Sequence, residues 1–165
     1  MIVVALIGIL SAIAVPSFLK YIKRAKTAEA RQQLEKISAG ARIYYSEEQR
    51  DPSSFSPIPA QFPGTIGLTP GVPCCDQPGK KCAADVTEWA QSSWKALKFA
   101  MDDPHFFMYE FQSSGVDNAA EFTAMAHADL DCDGEMSTFI SRGEIQFNGA
   151  DVTASGALVR IKELE

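Results

Sequence analysis

The first nineteen residues carry no charge of either sign; all 36 acidic and basic side chains lie at Lys20 or beyond. Histidine is nearly missing, with His105 and His127 the only two, and neither is accompanied by a Gly-x-Ser-x-Gly or comparable pattern. The nucleophile, base and acid of a hydrolase are therefore not in view, and both histidines read as structural. No glycine-rich phosphate loop occurs, which leaves nucleotide hydrolysis without its backbone cradle. The four cysteines lack paired Cys-x-x-Cys spacing, so a zinc site would be short of ligands. Basic residues number 15 against 21 acidic ones, a poor balance for gripping nucleic acid phosphates, and Lys80-Lys81 is weak support for it. No nucleic-acid partner is expected, and the chain reads as non-enzymatic.

What is present divides the 165 residues into an appendage and one domain. Residues 20–36 carry a net charge of +4 and residues 37–165 a net of −10. The chain thus reads as an apolar tail, a basic neck and an acidic head. The tail, MIVVALIGILSAIAVPSFL, has only Ser11 and Ser17 as polar side chains. As a helix it spans about 28 Å, close to the hydrocarbon thickness of a bilayer. A secretory signal fits badly, since such signals place a basic segment before a shorter apolar one. Pro16 removes an amide donor and crowds the Ala12 carbonyl, so the helix is expected to kink or loosen there. Freed backbone groups in lipid need partners, which suits a segment built to pack against other helices.

The stretch MIVVALIGILSAIAVPSFLKYIKRAKTAEA resembles the amino-terminal helix of type IV pilins and of the related pseudopilins of type II secretion. The apolar run, Gly8, Pro16 and the basic Lys20–Lys26 segment follow one another in the family's order. The resemblance implies a filament subunit whose helices bundle in the filament core, loosened between Gly8 and Pro16. The core residues would be Ile2, Val3, Val4, Leu6, Ile7, Gly8, Ile9, Leu10, Ile13, Val15, Pro16, Phe18 and Leu19. It implies as partners copies of the chain, the inner membrane before assembly, the pilus assembly machinery and the prepilin peptidase, with the filament extracellular. Met1 aligns just after the Thr-Leu-Ile-Glu-Leu-like run that opens mature family members. The leader, cleavage site and assembly glutamate therefore fall upstream of this sequence, and no residue here takes that glutamate's role.

Beyond the tail, Ala30, Leu34, Ile37, Ala41 and Tyr44 recur at helical steps, while Glu29, Arg31, Gln32, Glu35 and Lys36 fall on the other faces. One long helix is predicted over 1–51, ended by Asp51-Pro52. Residues 1–29 form its membrane or filament-core half, and residues 30–165 the head: amphipathic helix 30–51, loop 52–82 and sheet about 105–162. Residues 52–82 hold seven of the nine prolines and four of the eleven glycines, which predicts an ordered loop wrapped on the head. A short helical turn is predicted near 86–90, and Trp89 and Trp94 read as packing residues. HFFMYEFQ (105–112) and EFTAMAHA (121–128) read as strands. The alternate Phe122, Ala124, Ala126 and Ala128 offer a mostly small face for the Leu34–Ile37–Ala41 stripe, with His127 on the exposed side. Met136–Ser141 and Glu144–Phe147 are predicted as short strands joined by a turn at Arg142-Gly143, with a last strand over 151–162. The expected fold is α+β: a long N-terminal helix, ladle-like as in pilins, on a roughly four-stranded antiparallel sheet.

An even cysteine count beside an export-type amino terminus predicts two disulfides. Adjacent Cys74 and Cys75 bridge only with strain, so Cys132 is expected to join one of them while the other closes on Cys82. Asp129-Leu130-Asp131-Cys132-Asp133-Gly134 matches the opening of an EF-hand-like loop, in which Asp129, Asp131, Asp133 and Glu135 would hold calcium. Calcium in the head of some pseudopilins agrees with that. The pattern then stops, because Ile140 stands where the loop's bidentate glutamate belongs. The competing reading is a polar hairpin turn at Asp133-Gly134. No cofactor is required by either. The leading expectation is a type IV pilus subunit serving adhesion or twitching motility. The alternatives are a type II secretion pseudopilin and a membrane-anchored periplasmic binding module whose helix never polymerises.

Overall fold

The computed structural model describes residues 1–47, 50, 53–145 and 152–161. Helix α1 (Ile2–Ser46) runs unbroken through Pro16, and the Ser17 hydroxyl donates to the Ile13 carbonyl at 3.1 Å. At the standard rise its 45 residues span about 68 Å. It stops at Ser46 rather than at Asp51: the Ser46 hydroxyl and the Glu47 amide both turn back to the Ile43 carbonyl, and Glu47 is extended. Asp51 and Pro52 lie outside the described residues.

The sheet has five strands where about four were expected. They are β1 (Ile66–Thr69), β2 (Met108–Ser114), β3 (Glu121–Ala128), β4 (Ser137–Ile145) and β5 (Val152–Ile161), paired antiparallel in chain order. The extra one, β1, sits inside the proline- and glycine-rich 52–82 segment, where four residues between breakers are too few to announce a strand by periodicity. The two short strands predicted around Arg142-Gly143 are one continuous β4, with Arg142 opposite Thr123 and Gly143 opposite Phe122. Gly143 is there for a different reason from a turn: a Cβ at that position would overlap the Phe122 ring lying across it. Phe147, placed at the end of the predicted second strand, lies outside the described residues.

The second half of α1 covers the sheet through the predicted stripe. Ala30, Leu34, Ile37 and Ala41 are at most 1% exposed and meet a row of small side chains, the buried Ala124, Ala126 and Ala128 of β3. Short side chains let the helix backbone approach closely, and Ser38 and Ser141 close that contact with a 3.0 Å hydroxyl–hydroxyl bond. Tyr109, Phe111, Phe122 and Phe139 fill the space on either side. A short helix α2 (Ser92–Ala96) follows a turn at 86–89 and carries Trp94, whose indole N–H donates to Thr69 Oγ1 at 2.9 Å. Trp89, Trp94, Phe99, His105 and Tyr109 form an aromatic cluster with centroid separations of 5.3–6.5 Å. Gly40 brings α1 against the Leu97 carbonyl, a contact that a Cβ would block.

Candidate functional site

The apolar half of α1 has no partner within the described residues. Ile2, Val3, Val4, Leu6, Ile7, Ile9, Leu10, Ile13, Val15, Phe18 and Leu19 are all exposed, from 55% at Leu6 to 78% at Ile2. A Cβ added at Gly8 would meet nothing. A soluble monomer rarely exposes a contiguous apolar patch beyond a few hundred Å². By length and composition the helix is able to cross a membrane. Such a surface is suited to an apolar surrounding.

Where the helix turns from apolar to basic, it is fastened to the head. The Lys23 ammonium pairs with the Asp131 carboxylate at 2.6 Å, and that contact holds the Asp131 carboxyl below its usual range. Lys26 donates to the Leu130 carbonyl at 2.9 Å. The Lys26 and Lys81 ammonium groups lie 4.7 and 4.9 Å from the centroid of the same Phe106 ring. Glu29, expected on an outer face, instead turns to the sheet. Its carboxylate accepts from the Phe106 amide at 3.0 and 3.3 Å, from the Phe107 amide at 3.3 Å and from the Tyr109 hydroxyl at 3.3 Å. Burial, with the Glu29 charge beside it, pushes the Tyr109 hydroxyl well above its ordinary value, so it stays a donor. Reading α1 alone gave no sign of this role, because the partners lie 77–80 residues further along the chain.

The aspartate loop is organised as a turn. Asp129 Oδ1 accepts from the Cys132 and Asp133 amides at 2.6 and 3.1 Å, Oδ2 accepts from the Gly134 amide at 2.8 Å, and Asp133 Oδ1 accepts from the Glu135 amide at 2.9 Å. Cys132 and Gly134 have positive φ, of 63° and 95°. One carboxylate oxygen from each of Asp129, Asp131 and Asp133 lies within 4.8 Å of the others, a hard-oxygen set of the kind calcium takes. Calcium there would draw the Asp129 oxygens from three amides and Asp131 from Lys23.

Cys75 is bonded to Cys132 and Cys74 to Cys82, which ties the 74–82 loop to the aspartate loop; no cysteine is free. The two histidines serve packing. His105 is 1% exposed, with Nδ1 3.0 Å from the Asp103 carbonyl oxygen, and burial lowers its pKa. His127, expected at the surface, is only partly exposed: its Nδ1 lies 3.0 Å from Thr138 Oγ1 across β3 and β4, and burial lowers its pKa against the pull of Glu110.

Over 70 residues the chain is 46% identical to the type IV major pilin protein PilA of Myxococcus xanthus (strain DK1622). That likeness joins the exposed apolar helix and the antiparallel sheet already described. Over that stretch the chain resembles a type IV major pilin. The matched stretch amounts to 42% of this chain and 28% of the Myxococcus protein. No family model matches the chain, and no solved structure matches it.

Proposed function

We propose that this chain is a structural, non-enzymatic subunit of a type IV pilus, polymerising through α1 into an extracellular filament for adhesion or twitching motility. The observation that carries the reading is the contrast within one helix. Residues 30–41 bury an apolar stripe on their own sheet, whereas residues 2–19 leave every large apolar side chain bare. Before assembly those residues lie in the inner membrane, and in the filament they pack against the same residues of other copies. Moving them from lipid to a helix bundle gains little from the hydrophobic effect, so close packing must hold the filament core. Processing by a prepilin peptidase and extraction by the assembly machinery complete the scheme.

Shearing cells and analysing the released material by electron microscopy and peptide mass spectrometry tests this. Abundant chain in sheared filaments supports it, and chain found only in the membrane as a monomer overturns it in favour of a membrane-anchored binding module. The three clustered carboxylates favour a second reading, a pseudopilin whose filament stays in the periplasm with calcium in the aspartate loop. Filaments that never reach the sheared fraction, together with calcium-dependent protection of that loop from proteolysis, would select it.

A further inference from the structure

The fold gathers basic side chains from two distant parts of the sequence at the base of the head. Lys20, Lys23, Arg24 and Lys26 follow directly on the apolar run. Lys26 lies at about 10 Å beyond Leu19 along the helix axis. The 74–82 loop adds Lys80 and Lys81, both exposed, and Lys81 shares the Phe106 ring with Lys26. Lys23, Lys80 and Lys81 all lie within electrostatic range of Lys26. Against these cations, Asp131 pairs with Lys23, Asp129 is engaged by loop amides, Asp133 lies in the same carboxylate cluster, and Glu29 faces the sheet, so the cations remain in excess. Gathering like charges is unfavourable by itself, and a polyanionic surface is the counterpart that offsets it.

We propose that Lys20, Lys23, Arg24, Lys26, Lys80 and Lys81 form a composite basic collar that binds anionic phospholipid headgroups and seats the head on the membrane before assembly. The proposal rests on insertion of residues 2–19 in a bilayer. With that run in the hydrocarbon, the headgroup layer extends about 5–8 Å further, which takes in Lys20 to Arg24. Flexible stems let the exposed Lys80 and Lys81 reach back towards it, with Lys26, held on the Leu130 carbonyl and the Phe106 ring, between the two groups. A cluster of this size directly beside a membrane span is the pattern that attracts anionic lipid, and each cation near the surface contributes about a fivefold gain.

The full chain is reconstituted in vesicles of phosphatidylcholine alone or mixed with phosphatidylglycerol, and its lysines are mapped by amine acetylation and mass spectrometry. Lys20, Lys23, Lys26, Lys80 and Lys81 are expected to be protected in the anionic vesicles and released by high salt, while the exposed Lys95 and Lys98 label equally in both. In the double variant Lys80→Gln, Lys81→Gln, with tryptophan fluorescence confirming the folded head, protection of Lys20, Lys23 and Lys26 should fall several-fold. Equal labelling in the two vesicles overturns the proposal, and so does protection that the double variant leaves unchanged. Shielding of the same lysines by an oligonucleotide, with none by phosphatidylglycerol, overturns it in favour of nucleic acid. A chain that floats with neither vesicle overturns both the collar and the membrane reading. One that floats with both yet labels equally removes the collar alone and leaves the pilus reading intact.

Discussion

Replacing Glu29 with alanine should destabilise the head by about 3 kcal/mol. The substitution strips three donors of their shared acceptor: the Phe106 and Phe107 amides and the hydroxyl of Tyr109, which is 0% exposed. The 3.0 Å Phe106 bond to a charged oxygen carries about 1.5–3 kcal/mol of this. The two 3.3 Å contacts add less individually, but the donors they serve are then left unpaired in a low-dielectric site. Burying a carboxylate carries its own solvation penalty, so Glu29→Gln, which keeps one acceptor oxygen, should cost about 1 kcal/mol or less. Exposed Glu35, two turns along the same helix, supplies the control: Glu35→Ala should stay within about 0.5 kcal/mol of wild type. Urea unfolding of the full chain in detergent, followed by the fluorescence of buried Trp89 and Trp94, reports on the head alone. Equal midpoints for Glu29→Ala and Glu35→Ala would refute the reasoning.

The disulfides differ in the loops they close, and removing each in turn should rank them. Replacing Cys75 and Cys132, 57 residues apart, with serine should cost about 4 kcal/mol, against about 2.5 kcal/mol for Cys74 and Cys82, 8 residues apart; a midpoint shift in the reverse order would count against chain entropy as the cause. Acid should weaken the head through its histidines. Burial lowers the folded-state pKa of His105 below its unfolded value, so the unfolded chain binds more protons between the two. That contribution is therefore complete above about pH 6.5 and shrinks as the pH falls towards the folded-state value. Unfolding midpoints measured from about pH 7 down to about pH 5 should fall more steeply for wild type than for His105→Gln, and parallel slopes would show that His105 plays no part.

Much of the architecture was legible because it depends on local periodicity. Ala30, Leu34, Ile37 and Ala41 announce a buried stripe by helical spacing, and Phe122, Ala124, Ala126 and Ala128 do the same by alternation. What escaped depends on partners remote in sequence. Gly143 resembles a turn residue until the Phe122 ring is known to cover it. Glu29 resembles a solvated carboxylate until Phe106 and Phe107, just before β2, bring two amides to it and β2 brings the Tyr109 hydroxyl. Strand β1 owes its existence to pairing with Phe111 and Tyr109, not to a pattern of its own. The cysteine spacing left open which neighbour reaches Cys132, since Cys74 and Cys75 differ by one position and only the folded loop separates them.

The aspartate loop grips the helix at Lys23 and Lys26, and Cys132 within it is covalently joined to Cys75. A pull along α1 from its apolar end therefore has a definite route into the head. Part of the tension passes from the two lysines to Asp131 and the Leu130 carbonyl, in the loop that joins β3 to β4, and across a covalent bond into the 74–82 loop; the rest is taken by Glu29 and the buried stripe. The weakest links on that route are two polar contacts at the helix surface, which re-form as soon as the strain is released.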